Sequence, residues 1–174
     1  RRLRPRRQHL IMTVRQIRVF GGPVLRTVSS PVSPRDPGTS GLVEDLLDTV
    51  RLPGRAGVAA PQIGIGQRAF SYNIDGEVGY LLNPELVEVS GEPSLVDEGC
   101  LSVPGFYFQR MRYPWARATG VDLEGNPIEL EGDGLLAQAL QHEIDHLDGK
   151  LFIEGLDKDR KREAMRMIRE SDWF

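Results

Sequence analysis

The stretch "GLLAQALQHEIDHLDG", Gly134 to Gly149, sets His-Glu-x-x-His inside a helical repeat. Leu135, Leu136, Ala139 and Leu140 give one apolar face, and Gly149 stands where a helix would stop. Residues four apart on an α-helix are offset by about 40° around the axis and about 6 Å along it. His142 and His146 can therefore aim ring nitrogens at one point. Glu143 is turned by about 100° from His142. It cannot easily join as a co-planar ligand, but it can lie beside the position left open to water. Two ligands and a general base follow from that spacing. An ordinary helix with two solvated histidines carries the same letters, so the third ligand decides the chemistry.

Three sources of that ligand can be compared. The extended metzincin pattern needs a histidine where Phe152 stands, and phenylalanine binds no metal. A thermolysin-like site would draw on Glu163 or Glu170, but both lie among Lys and Arg, where solvated faces are expected. Cys100, in "EGCLS", is the remaining candidate. A lone cysteine is most often a small buried hydrophobe, yet this one has a glycine neighbour and a turn-like setting. A thiolate with two imidazoles makes a Cys-His-His site with a fourth position open for water. It is the only cysteine of the 174 residues, which excludes an intrachain disulfide. The one other histidine is His9.

Around this stretch the composition is that of one globular chain with room for a core. No apolar run approaches the ~18 residues needed to span a bilayer. The five arginines of residues 1–11 mask an acidic body: residues 12–174 carry 17 basic and 25 acidic side chains, a net of −8. That balance argues against direct nucleic-acid binding. Residues 1–11 are read as a disordered leader, from an upstream start or as an expression remnant, and residues 12–174 as a single catalytic domain. An Arg-rich organellar targeting segment is the alternative, and eleven residues are short for one.

The remaining elements predict an α+β fold, with an early helix, central strands and late helices. "GLVEDLLDTVRL" (41–52) reads as a helix behind a Pro/Ser/Gly loop, with Ser40 as N-cap. "GRAGVAAPQIGIG" is too glycine-rich for a helix interior. "QRAFSYNI" and "VGYLLNPELVEVSG" read as strands, with Pro84 at a bend or bulge. "DEGCLSVPG" is a short extended piece. "ARATGVDLEGNPIELEGDG" reads as a hairpin turning at Glu124–Pro127. "DKDRKREAMRMIRES" is a last amphipathic helix.

Three segments together resemble the peptide deformylase family: "GVAAPQIG" (Gly57–Gly64), "EGCLS" (Glu98–Ser102) and "QHEIDH" (Gln141–His146). They stand in that family's order and spacing, and a looser likeness runs from about Ile17 to the final helix. The resemblance implies an α+β fold with antiparallel sheets packed around a central metal-binding helix, and a C-terminal helix. It implies a metal-dependent hydrolase that removes the formyl group from the N-terminal formylmethionine of newly made polypeptides, releasing formate. Cys100, His142 and His146 match the metal ligands and Glu143 the catalytic residue. Gln62 and the backbone N–H of Leu101 match the donors to the formyl oxygen. Gly57, Val58, Val96, Glu98, Gly99, Leu135, Gln138 and Ala139 are expected to bind substrate, and Asp145 and Arg112 to tie the helix to the preceding loop.

The ion implied is Fe²⁺, while bare ligand chemistry equally allows Zn²⁺, Ni²⁺ or Co²⁺. The partners implied are nascent N-formylmethionyl chains at or near the ribosome, with no membrane. The location implied is a bacterial-type cytoplasm. Two departures stand out. Arg55 occupies a position that is usually glycine in the family, and Gln138 one that is generally apolar.

Overall fold

The computed structural model describes residues 14–174. The leader reading and His9 lie outside the described residues. The described residues include seven strands and three α-helices. Helix α1 spans Pro37–Val50, strand β1 Gly57–Ala59, β2 Ala69–Ile74, β3 Glu77–Ser90, β4 Ser94–Cys100 and β5 Val103–Arg112. Strand β6 spans Trp115–Val121, β7 Pro127–Asp133, helix α2 Gly134–Leu147 and helix α3 Lys158–Arg169.

Five strands form an antiparallel sheet in the order β1-β2-β3-β6-β7, and β4 and β5 form a separate two-stranded sheet. Strand alternation sorts the core. Val58, Ala69 and Leu82 face α1 with Leu42, Val43, Leu46 and Val50, while Ala59, Phe70 and Leu81 face α2 with Ala137, Leu140, Ile144 and Leu147. Helix α2 thus lies against the larger sheet. Its other side, bearing His142 and His146, is turned to the β4–β5 hairpin. A third cluster of Val103, Phe152, Ile153, Ala164 and Ile168 seats α3 beneath β5.

Local chemistry explains the boundaries. Helix α1 begins earlier than the apolar periodicity suggests. Asp36, not Ser40, is the N-cap, accepting from Gly38 N–H at 2.9 Å, with Pro37 at the first helical position. A proline there gives up an N–H that would be unpaired anyway, so the helix gains a start four residues upstream. Pro84 lies in the register shift between Leu82 and Glu85, as a proline in a strand requires. The β6–β7 turn is held by Asp122 Oδ1, which accepts from the N–H groups of Glu124 and Asn126, both at 2.9 Å. Gly149 ends α2 in the left-handed region at φ 75°, and Lys150 N–H closes back on Asp145 O at 2.9 Å. No helix among the described residues is long and apolar enough to cross a membrane.

Strand β5, like the short β1, is an element that the sequence reading does not separate. The extended piece around Cys100 is one arm of a hairpin whose other arm is "VPGFYFQRMR". That hairpin carries Cys100 to within reach of α2.

Candidate metal centre

Cys100 ends β4, and His142 and His146 lie one turn apart on α2. His142 Nε2 is 3.2 Å from His146 Nε2, and Cys100 Sγ is 3.3 Å from the same atom. All three donor atoms lie within 4.8 Å of one another. Metal–nitrogen bonds of about 2.0–2.1 Å and metal–sulfur bonds of about 2.3 Å give tetrahedral edges of roughly 3.3 and 3.6 Å. The two spacings to His146 sit close to those edges, and with all three donor atoms within 4.8 Å the set can hold one ion of first-row transition-metal size.

Electrostatics points the same way. His142 Nδ1 is 2.7 Å from Glu98 Oε2. An ionised carboxylate only accepts, so Nδ1 holds the proton and Nε2 offers its lone pair. Glu98 is itself gripped twice by Arg112, through Nε and Nη2, both at 2.7 Å. Burial raises the Glu98 carboxyl, but hydrogen bonds from Arg112 and His142 outweigh it and bring it to about 2. Burial would lower His142, yet the hydrogen bond and charge of Cys100, the hydrogen bond of Glu98 and the charge of Glu143 pull positive charge onto its ring and raise it well above the ordinary value. A proton or a metal cation answers that pull. His146 is driven the other way, by burial and then by His142, and stays neutral as a ligand must.

Glu143 stands beside the donors with Oε1 3.9 Å from His142 Nε2, and its Oε2 is buried with no protein hydrogen bond among the described residues. Burial, with a smaller push from Glu98 and against the pull of His142, raises its carboxyl to about 7. Room for it exists because position 57 has no side chain. Gln62 occupies a short 3-10 turn at Ala60–Ile63 and is 1% exposed. Its Oε1 accepts from Ala59 N–H at 2.9 Å, which fixes the amide so that Nε2 faces Ser102 Oγ at 3.2 Å and Cys100 Sγ at 3.6 Å.

These groups open into a cleft of about 490 Å³. Gly57, Glu98, Gly99, Leu101, Leu135, Gln138 and Ala139 line it together with Gln62, Cys100, His142 and Glu143. Val58 and Val96, also expected to bind substrate, are not among the lining residues. Val58 is fully buried against α1, because alternation sends it to the opposite face from Gly57. Val96 is partly buried on β4, paired with Arg110. Arg55 and the β5 residues Pro104, Phe106 and Tyr107 line the cleft as well, and only recognition of β5 as a strand could have signalled the latter three. Arg112 does bond Asp145, at 2.9 Å, but it is 5% exposed and its principal partner is Glu98, a link between residues 14 apart that spacing does not announce.

The competing third ligands are elsewhere. Glu163 and Glu170 both engage Arg166 on the exposed side of α3. Phe152 packs its ring 6.0 Å from that of His142.

The polypeptide deformylase family model matches residues 14–162. The chain belongs to this family. It is 50% identical over 163 residues to the peptide deformylase of Parafrankia sp. (strain EAN1pec), covering 93% of this chain and 89% of that one. Its fold is similar to a crystal structure of a peptide deformylase from Legionella pneumophila, with TM-score 0.83 and 38% identity, covering 90% of this chain and 94% of that one. The crystal structure of peptide deformylase from Thermus thermophilus gives TM-score 0.82 and 40% identity over 90% of this chain and 93% of that one. Membership in the deformylase family and the Cys-His-His group agree on a single metal ion.

Proposed function

We infer that this deformylase-family chain is a metal-dependent hydrolase that cleaves the formyl group from the N-terminal formylmethionine of nascent polypeptides and releases formate. The observation that carries the reading is the convergence of Cys100 Sγ, His142 Nε2 and the buried His146 Nε2, with Cys100, His142, Glu143 and Gln62 lining one cleft. That cleft suits a peptide. Among the described residues, β1 has β2 as its one strand neighbour and β4 has β5, and residues of both β1 and β4 line the cleft. An extended chain can add to such edges through main-chain hydrogen bonds.

Cys100, His142 and His146 would hold the ion. When bound, it lowers the pKa of water and polarises the formyl oxygen as a Lewis acid. Glu143, with its carboxyl near 7, is poised to take the proton of the attacking water and return it to the leaving amine. The Gln62 amide, oriented by Ala59, and the Leu101 N–H would donate to the oxygen as charge develops, an effect of about 3 kcal/mol per donor. Glu98 would hold the His142 tautomer, and Arg112 would hold Glu98. Leu135, Gln138 and Ala139 would wall the methionine side chain, with Gly57 and Gly99 against the peptide backbone and Glu98 acting through His142. Arg55 stands at the rim, where Nη1 bonds Thr49 O at 3.0 Å.

We assign Fe²⁺ as the native ion, although Zn²⁺, Ni²⁺ and Co²⁺ satisfy the same donors. Residues 12–174 would act as one catalytic domain in a bacterial-type cytoplasm, meeting nascent chains at or near the ribosome. Formate release from a formylmethionyl peptide by the metal-loaded protein is the direct test. Hydrolysis of internal peptide bonds without formate, or peptide binding without turnover, would overturn the reading.

A further inference from the structure

We propose that Gln138 caps the free edge of β4 and thereby limits how much of the substrate backbone the protein reads. The inference rests on the chain being a hydrolase of formylated peptides that pair with that edge.

Gln138 lies on α2, one turn before His142, and its Nε2 donates to the backbone carbonyl of Asp97 at 3.1 Å. In an antiparallel strand the N–H and C=O of one residue point to the same side, and successive residues alternate. The Asp97 carbonyl is turned to α2, and so away from β5. The groups of Gly99, two residues on, are then also turned outward, while those of Glu98 face β5. Asp97 and Gly99 both line the cleft. The edge offered to a peptide thus has two rungs. Gly99 is next to Cys100 and open; Asp97 is farther from Cys100, and its carbonyl is already bonded to a side chain.

A row of unpaired strand groups is a template for another strand. An amide lying on it removes one acceptor from that template, which an apolar side chain at 138 could not do. A peptide whose formyl group sits at Gln62 and Cys100 would pair with Gly99 through its first or second residue. The residue two positions later, the third or fourth, would meet Asp97 and find its acceptor taken. Backbone recognition would end there.

The test is kcat and KM for amidated formylmethionyl-alanyl peptides of two to five residues. The metal-loaded parent is compared with Gln138→Met and Gln138→Leu, which lack the amide. The parent should be flat, within about twofold, once the third residue is present. Each variant should gain a step at the third or fourth residue, about 3- to 10-fold in kcat/KM, the size of one hydrogen bond, and the gain should appear in KM. A parent that keeps improving through the fifth residue overturns the inference, as do variants with the parent's profile or a step carried by kcat. The parent's profile alone decides the matter should both variants fail to fold. No formate at any length would overturn the hydrolase reading, and this inference with it.

Discussion

A Cβ on Gly57 would lie 2.9 Å from the carboxylate of Glu143, closer than real Cβ contacts come. The backbone at Gly57 is ordinary extended strand, so alanine would be accepted there. The three atoms nearest such a Cβ all belong to Glu143. Gly57→Ala should therefore displace the carboxylate while leaving metal content near that of the parent. A shift of about 1 Å in a reacting group costs on the order of a hundredfold in rate. Steady-state kinetics with metal analysis checks this. Full turnover by Gly57→Ala would mean that position 57 does not set the place of the carboxylate.

Glu143→Ala separates proton handling from metal binding. The side chain is not among the three donors that share a point. Metal content should stay near normal, and turnover should fall at least about a hundredfold, the size expected for losing one general base. A larger residual rate would assign the proton transfer to another group.

Gln62 has two tasks that two substitutions can divide. Its Oε1 accepts from Ala59 N–H, and its Nε2 faces the Cys100 end of the cleft. Gln62→Leu removes both; Gln62→Glu keeps the acceptor and loses the donor. Both should lower kcat more than they raise KM, because the amide would bind the developing oxyanion more strongly than the ground state. Gln62→Leu should also lose about 1–3 kcal/mol of stability, from the buried Ala59 N–H left unpaired, while Gln62→Glu keeps that bond at the cost of burying a carboxyl. A pure KM effect in both variants would make Gln62 a substrate-positioning residue instead.

Arg112 tests the support behind the ligands. Arg112→Met would strand the Glu98 carboxylate, 1% exposed, with His142 as its remaining partner. Breaking a buried pair from one side typically costs about 3–5 kcal/mol. Loss of such support typically weakens metal binding about 10- to 100-fold. Thermal unfolding should drop, and a metal titration should shift by that factor. Unchanged affinity would show that Glu98 orients His142 without help.

The helix and the side chains that converge from it are legible in the sequence because a four-residue spacing fixes side-chain direction. His142, Glu143 and His146 could be placed before any fold was known. Gly149 and Pro84 are legible for a similar reason, since each permits few backbone states. Strand β5 is not, because Pro104 and Gly105 interrupt its start and resemble a loop. Without β5 the Glu98–Arg112 bond cannot be anticipated, since only the β4–β5 register brings those residues together. Val58 shows a subtler limit. Membership in a motif says that the segment approaches the site, but strand alternation decides which residues face it. Asp36 shows the same at a helix end, where a proline one position later outweighs the start of the apolar pattern.

The last prediction concerns oxygen. As a metal ligand, Cys100 would be a sulfur donor beside a position that has to admit water, and dioxygen can enter wherever water does. With Fe²⁺, an electron can pass to oxygen there, and the activated oxygen can carry the neighbouring sulfur up the sulfenic–sulfinic ladder. Ni²⁺ keeps the Lewis acidity without that easy redox step. The iron form should therefore lose activity in air much faster than the nickel form. A bound sulfur is shielded relative to a free one, so damage should follow oxidation of the iron rather than precede it. Activity against time in air, with mass spectrometry on the peptide carrying Cys100, makes the comparison. Equal lifetimes with Cys100 unmodified in both forms would sink the iron assignment and favour a redox-inert ion such as Zn²⁺ on the same three donors.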